Sequence, residues 1–168
     1  MDASEPASAA QTPAPAQTAP AQTWCPSGTP RAPEAVVLGV RSGADGRVSY
    51  LAEPVPASEV LGEIPEGVEP ARVLRFASHC TSRCPNRRGA DCQLVERIVT
   101  AAQPVASPVV PRCHLRPQCQ WWHQKGVVAC QQCPSISTLF PAADERMTII
   151  ADPNTTLEQL QAWIAESP

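Results

Sequence analysis

The spacing of the cysteines constrains this chain more than any other feature. Seven of its eight cysteines fall between His79 and Pro134, as Cys80-x3-Cys84-x7-Cys92, then Cys113-x5-Cys119, then Cys130-x2-Cys133-Pro134. Twenty prolines and seven aromatic residues in 168 leave little material for a large apolar core, so something besides side-chain burial must help to order the chain.

The first 23 residues lack the charged-then-apolar pattern of a secretion signal. No apolar run approaches the roughly 20 residues that a spanning helix requires. A cytoplasmic protein without membrane contact is therefore expected. Thiols stay reduced in that compartment, which favours metal-binding cysteines over a disulfide scaffold, although eight is also an acceptable disulfide count.

A Cys-x2-Cys pair lets two sulfurs face one metal site and suits zinc and iron–sulfur chemistry equally. A structural zinc module usually shows two compact pairs, whereas here one such pair stands beside irregular, wider spacings. Those spacings are more comfortable for a cubane whose irons are spread in space. The residues thus point to one or two 4Fe-4S clusters held by Cys80, Cys84, Cys92, Cys113, Cys119, Cys130 and Cys133, with structural zinc and a disulfide framework as alternatives. Cys25, in Trp24-Cys25-Pro26, is either an eighth ligand that would allow two four-cysteine sites or a lone free thiol. Without it, four ligands to one cluster and three to another would leave an iron lacking a cysteine. His79, His114 and His123 each lie close to a cysteine and are candidate single substitutes for a thiolate, or else surface histidines.

Charge is distributed unevenly. From Arg72 to Cys133 nine Lys or Arg stand against Asp91 and Glu96, a balance of +7, while residues 1–71 sum to −6 and residues 134–168 to −4. Three readings follow. Acidic flanks could neutralise the module, cations could offset a thiolate-ligated cluster and raise its potential, or a basic face could contact nucleic acid.

In chain order, residues 1–33 read as an Ala/Pro-rich tail that cannot bury enough apolar surface to fold alone. Residues 34–77 read as a small antiparallel sheet. Its elements are the runs 35–40 and 47–51 about a Gly/Asp turn, a short helix at 58–62, and a third strand at 72–77. Residues 78–135 form the cysteine-rich module. There Cys92 opens a helix that ends before Pro104, where free amides and the helix dipole favour a thiolate, and two helical turns break at Gly126. Trp121 and Trp122 either shield a cluster or supply the core. Residues 136–168 read as a strand at 147–150, a capping box at Thr155-x-x-Glu158, and a final helix docked through Leu157, Leu160, Trp163 and Ile164. The fold class is α+β: a three-stranded antiparallel sheet, then a loop-rich cluster module with short helices, then a C-terminal helix.

Several of these runs also carry a resemblance. Arg75-Phe76-Ala77, the Cys-x3-Cys-x7-Cys run with Leu94-x3-Ile98-Val99, Cys113-x-Leu115-Arg116-Pro117-x-Cys119-x-Trp121-Trp122, and Ala129-Cys130-x2-Cys133-Pro134 resemble a family of small, largely uncharacterised bacterial cysteine-rich proteins. Cyanobacterial members of that family are often loosely labelled nitrogen-fixation proteins. The resemblance covers about residues 35–140 and implies an iron–sulfur cluster, with little about function beyond it.

Enzymatic signatures are missing: there is no Gly-rich phosphate loop, no Gly-x-Ser-x-Gly and no His-Glu-x-x-His. The residues point away from an enzyme, leaving open only cluster chemistry at an iron without a cysteine. Three functions remain: a cytoplasmic iron–sulfur electron carrier or accessory redox subunit with a redox partner protein, a cluster-based oxygen or redox sensor whose basic module contacts DNA, and a zinc-stapled protein-interaction module.

Overall fold

The computed structural model describes residues 22–43, 45–105, 109–139 and 144–167. Residues 1–21 of the expected tail lie outside them. The fold is α+β: among the described residues, a four-stranded antiparallel sheet in the order β1-β4-β2-β3 is joined by six α-helices.

The Val/Leu-rich run 36–41 (β2) and the run 48–56 (β3) form the expected hairpin, with a register shift between Val37 and Gly39. After the short helices α1 (Ala57–Val60) and α2 (Pro70–Val73), strand β4 (Leu74–His79) pairs with β2. The expected three strands gain a fourth. Trp24–Cys25 (β1) pairs antiparallel with β4, placing Trp24 opposite His79 and Cys25 opposite Ser78. Residues 22–33 therefore belong to the folded unit and not to the tail. Gly28 explains how the chain gets so close: its amide donates to Phe76 O at 3.2 Å, and a Cβ there would meet Ser78 N at 2.2 Å.

A two-stranded ribbon, β5 (Arg87–Arg88) with β6 (Asp91–Cys92), leads into α3 (Gln93–Thr100). Helix α4 (Gln120–Gln132) breaks at Gly126, whose φ of 60° and ψ of −137° suit a residue without a Cβ. Helices α5 (Glu145–Ala151) and α6 (Leu157–Glu166) close the fold.

The run 147–150 is helical, a correction of the expected strand. Its β-branched residues are outweighed by burial at helical spacing, since Met147 and Ile150 both enter the core, and by the Asp144 side chain, which accepts from Met147 N at 3.1 Å. The final capping box lies one residue on, at Thr156 and Gln159. Leu160 is buried and Trp163 packs on the core, while Ile164 is exposed. The main core joins Leu94, Val95 and Ile98 of α3 to Trp121, Ile150 and Leu160. A smaller core of Val37, Ala57, Ala71 and Phe76 lies under the sheet. The cysteines occupy the seam between the sheet and the helices. Among the described residues, no helix is long and apolar enough to cross a membrane.

Candidate metal centres

The eight cysteines divide into two sets of four, and all are free thiols. Cys25, Cys80, Cys84 and Cys92 line one cavity of about 330 Å³, the first site. Cys113, Cys119, Cys130 and Cys133 line another of about 20 Å³, the second site. The seven expected ligands are thus split three and four. Cys25 completes the smaller group because β1 pairing brings it beside the end of β4, next to Cys80. Electrostatic coupling respects the division. Cys25 feels Cys80 and Cys92, while Cys119 feels Cys113 and Cys133.

The two cavities share a wall. Cys25 lines the first and its neighbour Pro26 the second, while Cys119 lines the second and its neighbour Gln120 the first. A parallel bridge between Trp24 and Cys119 joins these two backbone segments. Gln120 holds the wall, accepting from Thr23 Oγ1 at 3.0 Å and donating to Ala90 O at 3.0 Å.

Local structure aims amides at the sulfurs. Cys92 and Cys119 are the N-cap residues of α3 and α4, the positions where helix N–H groups lack backbone partners. The nearby amides of Leu94 and Val95 favour the Cys92 thiolate, and those of Trp121 and Trp122 that of Cys119, although neither sulfur caps its helix with a hydrogen bond. Ser27 and Leu115 serve Cys25 and Cys113 in the same way. Gln124 pins Cys92 from both sides, accepting from its N–H at 2.8 Å and donating to its carbonyl at 3.2 Å.

Burial opposes ionisation at most of these thiols. It raises Cys92, Cys113 and Cys130, and pushes Cys119 up to about 12. Cys80 is the exception. The Cys25 thiol donates to it, and with further help from Thr23 and Arg87 its pKa falls to about 7, while Cys25 is raised by keeping its proton. One proton is in effect shared between two sulfurs.

The second site is flanked by one buried and two half-buried cations. Arg75, only 3% exposed, donates to Cys133 Sγ at 3.7 Å and to the carbonyls of Pro26 and Ile136. Arg41 donates to Ile136 O at 3.3 Å, and burial followed by repulsion from Arg75 lowers its pKa to about 10. Arg116 bonds Cys130. Among the described residues no carboxylate pairs with any of the three. The Tyr50 hydroxyl donates to Cys133 Sγ at 3.0 Å, and burial raises its pKa well above the usual phenol range. Two further donors here are buried without an acceptor, Arg116 Nε and Trp121 Nε1. Trp121 supplies the core, as one of the two expectations had it, being 1% exposed, and it also lines the cavity.

None of the histidines joins the second cavity. His79 lines the first, edge-on to Trp24 at 4.4 Å and 3.7 Å from Glu34 Oε1. His114 and the His123 ring face solvent, the latter 2.9 Å from Pro117 O. Among the described residues, no three His, Cys, Asp or Glu side chains converge as a single-ion site.

The sequence singles out the cysteines but not Tyr50 or Gln120 as site residues, and Arg75 enters it only through the charge balance, the third strand and the family resemblance. Tyr50 is the single tyrosine of the chain, and Arg75 stands in an otherwise apolar strand stretch running toward Cys80. Those were the available signals. Compared with protein-family models, curated proteins and solved structures, the chain matches none.

Proposed function

We propose that this is a cytoplasmic iron–sulfur protein with two four-cysteine centres, acting as an electron carrier or an accessory redox subunit. The observation that carries the reading is that buried Arg75 and half-buried Tyr50 both donate to Cys133, one of four cysteines lining a single cavity. A buried guanidinium costs several kcal/mol unless an anion faces it. No carboxylate does so among the described residues, and the sulfur of Cys133 does. Neutral thiols or a disulfide would leave the cations uncompensated, whereas four thiolates on a metal centre suit them. The same centre would supply acceptors for Arg116 Nε and Trp121 Nε1. The donor chemistry therefore fits the group.

Cys25, Cys80, Cys84 and Cys92 would hold one centre, and Cys113, Cys119, Cys130 and Cys133 the other. Such clusters take up and release single electrons at a potential set by charge, hydrogen bonds to sulfur and exposure. The chain contributes aimed amides at both sites, guanidinium and phenol donors at the second, and Trp121 to keep water from the second.

A second reading has its own observation. The second cavity, about 20 Å³ against about 330 Å³ for the first, leaves little room for a four-iron cluster. A structural zinc there, beside a cluster at the first site, would require its sulfurs to close up, since no three of them converge on one ion as they stand. Anaerobic purification followed by iron, sulfide and zinc analysis distinguishes the two. Two clusters give about eight iron and eight sulfide per chain, and the mixed case about four of each with one zinc. A colourless protein without iron would sink both.

A further inference from the structure

We propose that the rim of the first site is a docking surface for an acidic redox protein, gripped by Arg83, Arg87 and Arg88. This rests on the reading of the first site as a redox centre. Arg87 lines that cavity beside Cys80, Cys84 and Cys92. Arg83 adjoins Cys84 and is exposed, and Arg88, also exposed, sits on the β5–β6 ribbon that delivers Cys92. The three cations stand within six residues of one another around half-exposed sulfurs.

Their bonding leaves their charge unanswered. Arg88 donates to the carbonyls of Pro85 at 3.0 Å and Arg87 at 2.9 Å, and Arg87 donates to Gly89 O at 2.9 Å. These are backbone contacts that hold the arginines in place without neutralising them. Among the described residues no carboxylate lies within ion-pair distance of any of the three. Of the two carboxylates nearby, Glu34 is engaged by His79, through its N–H at 2.9 Å and its ring at 3.7 Å, and Asp91 lies opposite Arg88 across the ribbon. In a chain of net charge −3, a local positive rim is a contrast that an acidic partner can read.

Charge and place favour protein over nucleic acid. Three arginines on one short loop do not make a track along a phosphate backbone, where each neutralised phosphate needs its own cation. They stand beside the half-exposed thiols of the first site, where an electron-carrying partner needs short range. The second site offers a thinner rim, because Arg75 and Arg116 are turned inward on Cys133, Cys130 and Ile136 and only Arg112, beside Cys113, is exposed among the described residues.

The test uses the full chain purified without air, its iron and sulfide measured first, and a plant-type ferredoxin as an acidic probe. Binding is followed by calorimetry at low and at high salt. Binding at low salt, weakened at least about tenfold by 0.3 M salt and lost in Arg83→Glu/Arg88→Glu at unchanged iron content, is the expected result. Arg83→Gln/Arg88→Gln should weaken binding by an intermediate factor, separating charge from folding damage. Iron-loaded protein that does not bind, that binds equally well after charge reversal, or that binds a DNA duplex through these arginines in place of the ferredoxin overturns the docking surface. Absence of iron overturns the redox reading itself.

Discussion

The two cysteine sites offer the same four donors in opposite surroundings. The first is roomy and half-exposed, and manages charge internally, since Cys25 keeps a proton and gives Cys80 a hydrogen bond. The second is tight, with Cys119 and Cys133 buried, and meets Cys133 with guanidinium and phenol donors. The ligand set alone does not set a centre's properties. Around the first site the positive charge is turned outward, and around the second it is sealed in.

The largest expected effect separates the sites by single cysteines. Cys133→Ser should strip metal from the second site alone and cost about 3–5 kcal/mol, because Arg75 stays buried with no anion to face. Cys80→Ser should strip the first site at a smaller cost, its neighbours being in reach of water. Metal content and urea unfolding read both outcomes, and equal costs would break the comparison. Next, Arg75→Met should lower the reduction potential of the second centre and leave the first unchanged, as seen by redox titration. A shift in both would mean the shared wall couples them more strongly than their surroundings separate them. Tyr50→Phe, which removes one hydrogen bond to sulfur, should have the same direction with a loss of about 1–2 kcal/mol.

The smallest effect is one of pH in metal-free protein. Cys80, lowered to about 7 from an ordinary 9.0, contributes stability that is complete above pH 9 and lost as pH falls through about 7. Cys119, raised to about 12, contributes stability that is complete below pH 9 and lost as pH climbs toward 12. At pH 8 a thiol-alkylating reagent should therefore mark Cys80 well before Cys119, as read by peptide mass. Similar rates at the two positions would remove the contrast.

Much of the fold was legible because it is local. The hairpin followed from two β-rich runs about a Gly/Asp turn, the start of α3 at Cys92 from its apolar spacing, and the break in α4 from Gly126. The helix at 145–151 was not legible. Thr148, Ile149 and Ile150 favour a strand locally, and burial of Met147 and Ile150 against a core built elsewhere in the chain decides otherwise. The seven candidate cysteines were likewise legible from local spacing, whereas the place of Cys25 beside Cys80 depended on a pairing across more than fifty residues.

By itself the sequence determined that this chain is cysteine-dense, poor in apolar core and basic around its thiols, and these properties follow from composition and spacing. Only the tertiary structure decided that the thiols divide four and four, that the two cavities share a wall, and that Arg75 faces inward while Arg83 and Arg88 face out. The physical reason is that charge is assigned by residue type, but its effect depends on distance and burial. Both are set by long-range pairings, β1 on β4 and Trp24 on Cys119, which no local pattern encodes.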